Sequence, residues 1–118
     1  MGTSFCRRGS DCPEHDFYAT PRAVEELLKL ERFSESIWEP CCGGGHISEV
    51  LSRHGHAVLS TDLADHGYGR PGVDFLAQSE PVDADIITNP PYVQAQAFAE
   101  HAISLLTNGH KAAMFLRL

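Results

Sequence analysis

The chain has 118 residues, of which 42% are hydrophobic and 21% charged, with a formal net charge of −7; these are the proportions of one soluble globular domain. No apolar run approaches the ~20 residues of a membrane helix, and "MGTSFCRRGS" lacks the apolar centre of a secretory signal and carries Cys6 where a myristoylation signal needs Ser or Thr. The acidic balance argues against a surface that neutralises many phosphates, and four cysteines without a signal point to reduced thiols in the cytoplasm.

Residues 1–15 have no periodicity and are expected to form a flexible arm, with the domain over 16–118. Cys6, Cys12 and His15 fit no standard zinc spacing, so no metal is expected. "ATPRAVEELLKLERF" predicts a helix with Thr20 as N-cap, Pro21 at the first helical position, and Val24, Leu27 and Leu28 on one face. "SIWEP" is a strand closed by Pro40, "CCGGG" a glycine turn, and "HISEVLSRHG" a helix with Ile47, Val50 and Leu51 inward and Gly55 as its stop. His54 and His56 flank that glycine as solvated residues. "HAVLSTD" is the next strand and "LADHGYGRPG" a mobile polar loop. "VDFLA" reads as a short edge strand and "DADIITN" as a strand. "AQAFAEHAISLLTNGH" is a helix with Ala95, Phe98, Ala102 and Leu105 or Leu106 on one stripe, stopped by Asn108 and Gly109; "KAAMFLRL" is a final strand.

Strands alternating with helices imply an α/β fold of the Rossmann-like kind: a mostly parallel sheet with helices on both faces. The pattern gives five strands and ends on an apolar one, whose edge a second copy of the chain would cover.

Three features carry chemistry. The turn "EPCCGGGH" joins a strand to a helix, where an open α/β sheet forms its ligand crevice. It lacks both G-x-G-x-x-G and the lysine of a phosphate loop, and Glu39 before it repels a pyrophosphate but suits a cation. A sulfonium bearing an α-amino group, S-adenosyl-L-methionine, meets that charge requirement. About twenty residues on, Asp62 ends the next strand, where a carboxylate accepts ribose hydroxyls. The third feature is "DIITNPPYV". Neither Pro90 nor Pro91 can continue a ladder or enter a helix, so the strand must stop near Asn89 in a stiff elbow.

In their order, "DFYATP", "EPCCGGG", "TDL", "DFL" and "NPPY" resemble the motifs of class I S-adenosylmethionine-dependent methyltransferases of the NPPY type, most like the phage and prophage N6-adenine DNA methyltransferases. The resemblance covers Asp16 to Leu118. It implies methyl transfer to an exocyclic amino nitrogen, with Asn89 and the Pro90 carbonyl accepting the amine hydrogens, Pro91 stiffening the elbow and Tyr92 stacking on a flipped adenine. It implies cofactor contacts from Tyr18, Thr20, Pro21, Glu39, Cys41, Gly43, Gly45, Asp62, Leu63, Asp74, Phe75 and Asn89. The same tetrapeptide serves enzymes that methylate protein glutamine or guanine in ribosomal RNA, and a cofactor-binding module without turnover is a further alternative. The family sheet continues beyond a fifth strand, whereas this sequence ends at Leu118.

Overall fold

The computed structural model describes residues 20–116. The expected arm, Tyr18, Cys6, Cys12 and His15 lie outside the described residues. Helix α1 (Pro21–Leu30) opens as its sequence predicts: Thr20 Oγ1 accepts from the Ala23 N–H at 3.1 Å and Pro21 needs no donor partner at the first position. Strand β1 (Ser36–Glu39) leads through the glycine turn to α2 (His46–Arg53), and β2 (Ala57–Ser60) returns parallel to β1 with Glu39 opposite Ser60. Strand β3 (Asp85–Thr88) lies on the other side of β1, with Trp38 opposite Ile86. Helix α3 (Ala95–Leu105) then crosses to β4 (Ala112–Met114), parallel to β3.

The sheet order is β2-β1-β3-β4, four strands all parallel. The strand pleat sorts the core into two layers. Ile37 and Ile87 face α1 and α2, where Val24, Phe33, Ile47, Val50 and Leu51 close one cluster. Trp38 and Ile86 face the opposite way onto Phe98, Ala102 and Leu105 of α3 and onto Phe75. Phase on the helices agrees: Phe98, Ala102 and Leu105 recur at helical spacing and are the buried residues of α3. Among the described residues no helix is long and apolar enough to cross a membrane.

Two expectations are corrected. "VDFLA" is not a strand: Phe75–Ala77 is a 3-10 turn, capped by Asp74, whose side chain accepts from the Leu76 N–H at 3.1 Å. The place beside the end of β2 is already taken, because Arg70 donates to Ser60 and accepts from Asp62. Phe75 is instead drawn inward, with its ring 5.2 Å from Trp38 and 4.9 Å from Phe98. The sheet therefore has four strands where the sequence pattern gave five. The loop from Leu63 to Gly72, expected to be mobile, is tied at both ends by Gly72 N–H to Leu63 and Val73 N–H to Asp62 bonds.

Candidate cofactor and substrate site

Chain order runs outward from β1 to β2 and then across β1 to β3, so the sheet's direction of winding reverses between β1 and β3. Carboxyl ends of strands at such a point leave a crevice that no crossover helix fills.

The glycine turn is fastened at this point to both neighbouring strands. Cys41 N–H donates to Thr88 Oγ1 at 3.1 Å, Cys42 N–H to the Thr61 carbonyl at 2.9 Å, and Gly43 N–H to Asp62 Oδ2 at 2.9 Å. Gly43 and Gly45 both have left-handed backbone, φ 52° and 95°, which fits glycine alone among common residues. At Gly45 a side chain is excluded twice over: an added Cβ would lie 2.6 Å from the Tyr68 ring.

Asp62 is buried and accepts from Gly43 and from the Ala64 N–H, the latter at 3.0 Å, with His66 Nε2 3.8 Å away. Each carboxylate oxygen has further acceptor capacity. Beside it lies a cleft of ≈ 360 Å³. Its lining gathers Cys41, Asp62, Leu63, Asp74 and Phe75 of the expected cofactor residues and Pro91 of the elbow. The size falls in the range of small-molecule sites, and the lining has the usual character, apolar surface with a few convergent polar groups.

The other expected residues are placed differently. Glu39, only 1% exposed, does not line the cleft; it accepts from Ser48 Oγ beneath the glycine turn. Thr20 and Pro21 sit at the exposed start of α1. Asn89 closes β3 and is 2% exposed, and its Nδ2 has no hydrogen-bond partner. Thr88, just before it, holds the glycine turn, and Pro91, just after Pro90, lines the cleft. Pro90 is buried, while Tyr92 is 54% exposed on a 3-10 turn (Tyr92–Gln94). His66 and Gln94 also border the cleft. Sequence reasoning missed both, because their side chains are brought there by the tied-back loop and by the turn after the elbow, neither of which has periodicity to read.

Burial, reinforced by the nearby Asp62 and Glu39 carboxylates, pushes the Cys41 thiol up to about 12; burial followed by Glu39 and Asp62 does the same for Cys42, also to about 12. Both thiols therefore stay protonated at neutral pH and are poor nucleophiles. Among the described residues no three His, Cys, Asp or Glu side chains converge as metal ligands.

The fold is a Rossmann-like methyltransferase fold. Among solved structures, TrmN from Thermus thermophilus is similar at a TM-score of 0.60 and 21% sequence identity, over 81% of this chain and 38% of that one. No protein-family model matches the chain. No curated relative matches it either.

Proposed function

We propose that the chain binds S-adenosyl-L-methionine across the carboxyl ends of β1, β2 and β3 and transfers its methyl group to an exocyclic amino nitrogen, with N6 of a flipped adenine in DNA as the favoured target. The observation that carries this reading is the unpartnered Nδ2 of buried Asn89, which in the chain lies between Thr88, bonded to the glycine turn, and the proline elbow, whose Pro91 lines the cleft with Asp62, Asp74 and Phe75. A buried amide N–H without an acceptor costs about 1–3 kcal/mol, and such groups are retained where a ligand completes them.

The residues present suit this cofactor. Asp62 offers acceptors for ribose hydroxyls, Asp74 for the adenine amine, and Phe75 and Leu63 an apolar seat for the purine. The cofactor supplies a methyl group already activated by a sulfonium. An exocyclic amine is a weak nucleophile, because its lone pair is delocalised into the adjoining π system. Asn89 Oδ1 and the Pro90 carbonyl accept its two N–H hydrogens and direct the lone pair towards the methyl carbon, and Tyr92 offers an exposed ring for stacking. The protonated Cys41 and Cys42 thiols argue against covalent catalysis by cysteine.

RNA is the second reading, since the same NPPY tetrapeptide serves enzymes that methylate guanine in ribosomal RNA. The chain spans 38% of TrmN, so turnover by these 118 residues alone belongs to the proposal. A reduced, cytoplasmic protein is proposed on the same footing. Labelled methyl transfer to DNA, RNA and protein, run in parallel, tests it. The expected product is N6-methyladenine in DNA, absent with Asn89→Ala. Label in RNA or in protein glutamine moves the target, and binding without any transfer leaves a cofactor-binding module.

A further inference from the structure

One side of the cleft rests on a segment with little stability of its own. Asp74 and Phe75 belong to a single 3-10 turn, closed by Ala77 N–H to Asp74 and Gln78 N–H to Phe75 bonds, both 3.1 Å. Bonds of this kind have poorer geometry than those of an α-helix, and a turn this short has no further turns to support it. Yet the aim of the Asp74 carboxylate depends on it. Its Oδ1 accepts from the Leu76 N–H at 3.1 Å, within the turn, which leaves Oδ2 to a ligand.

Support comes from α3. His101 Nε2 lies 2.7 Å from the Gln78 carbonyl oxygen. A carbonyl only accepts, so the imidazole carries a hydrogen on Nε2 and donates it. The same ring stands edge-on to Phe75, with centroids 5.1 Å apart and planes at 88°. Gln78 extends the support, because its own Nε2 donates to the Asp74 carbonyl at 3.1 Å. One half-buried histidine thus holds both the residue that closes the turn and an edge of the Phe75 ring. Neither His101 nor Gln78 lines the cleft, so both act through the turn. Because α3 follows directly on the turn after the proline elbow, the contact ties this side of the cleft to the element that carries on from Asn89.

We propose that His101 is a positioning residue for the nucleobase of the cofactor: by holding the Gln78 carbonyl and the Phe75 ring, it keeps the Asp74 carboxylate aimed at the exocyclic amine of adenine. This deepens the cofactor reading above and rests on it. Its mark is selectivity between bases. Adenine offers Asp74 an N–H donor, whereas hypoxanthine has a carbonyl oxygen in that place and meets the carboxylate with a second acceptor. A turn released from α3 lets the carboxylate swing away, and the two bases then bind alike. A general loosening of the core weakens both and leaves their ratio unchanged.

Calorimetric titration with 5′-methylthioadenosine and 5′-methylthioinosine measures that ratio, and S-adenosylmethionine is the control on the cofactor reading. The unaltered protein should prefer the adenine compound by about five- to tenfold. His101→Leu should cut the preference to about twofold or less. His101→Gln, whose amide N–H reaches towards the same carbonyl, should keep most of it. Gln78→Ala removes the bond to Asp74 without altering α3 and should narrow the preference in the same direction. An undiminished preference in His101→Leu or in Gln78→Ala overturns the proposal, whether or not overall affinity falls. So does a His101→Gln variant that behaves like His101→Leu. If the unaltered protein binds the two nucleosides equally, Asp74 does not read the amine and this proposal alone fails. If it binds none of the three ligands, the cofactor reading itself fails and takes this one with it.

Discussion

Asn89 ends a strand that is buried along its whole length, yet its amide keeps an N–H without an acceptor. Replacing it with Ala removes that penalty and leaves a small cavity, two effects of opposite sign and each of about 1–3 kcal/mol. The expected outcome is a urea midpoint equivalent to within about 1 kcal/mol of the unaltered protein, with methyl transfer reduced about 100-fold or more. A steep fall in stability would assign the residue to the scaffold instead. The glycines give a second contrast. Gly45→Ala must adopt φ 95° and push against Tyr68, at a cost of roughly 1–3 kcal/mol or more. Gly44→Ala meets only the His46 ring at 3.5 Å, ordinary contact, and should stay within about 1 kcal/mol in the same urea titration. In the sequence the glycines of this turn are alike. Their density marked a turn that approaches something closely, but which one a neighbour covers depends on Tyr68, twenty-three residues further on and invisible to any local pattern.

Elements were legible where their periodicity and caps agreed. Thr20 and Pro21 gave the start of α1, and the β-branched run ahead of Asn89 gave β3. "VDFLA" failed because five residues with apolar positions carry no more strand signal than turn signal, and tertiary contacts decided between them. The connection from α3 to β4 carries a chemical device at the opposite end of the sheet from the cleft. His110 donates at 2.9 Å to Asp83 through Nε2 and to Asp85 through Nδ1, while Asp85 also accepts from the Ser34 and Lys111 N–H groups. The bonds to Asp83 and then Asp85 raise the His110 pKa above its ordinary 6.5. Burial opposes the Asp85 charge, but the Ser34, Lys111 and His110 bonds outweigh it and hold that carboxyl below its ordinary 3.8. The signs follow from linkage. The His110 contribution is complete below pH 6.5 and is lost as pH rises through its raised value; the Asp85 contribution is complete above pH 3.8 and is lost as pH falls through its lowered value. Urea midpoints measured from pH 4 to 9 should therefore decline above about 6.5 relative to His110→Gln, which lacks the titration. Parallel curves for the two proteins would show that the pair contributes nothing.

At the scale of the molecule, alternating strands and helices made the parallel sheet readable, because a crossover of fixed hand leaves few arrangements. Its exposed margins were readable only in part. Beyond β4 no strand follows among the described residues, and Leu116 next to it is 45% exposed. At the other margin Leu59 is 50% exposed on β2, beside an apolar groove that includes Trp38 and Val82. Uncovered ladder groups and apolar margins favour pairing between copies, whereas a net charge of −7 on each copy opposes it. The balance is set by ionic strength, since the screening length falls from about 10 Å at 0.1 M salt to about 3 Å at 1 M. Light scattering should give a mass near 12.9 kDa in dilute buffer and a multiple of it as salt is raised. Met114→Lys places a charge on β4 and should keep the protein at the lower mass across the series. If the unaltered chain stays at the lower mass in 1 M salt and at high concentration, β4 is not an association surface and the margin is tolerated as an open edge.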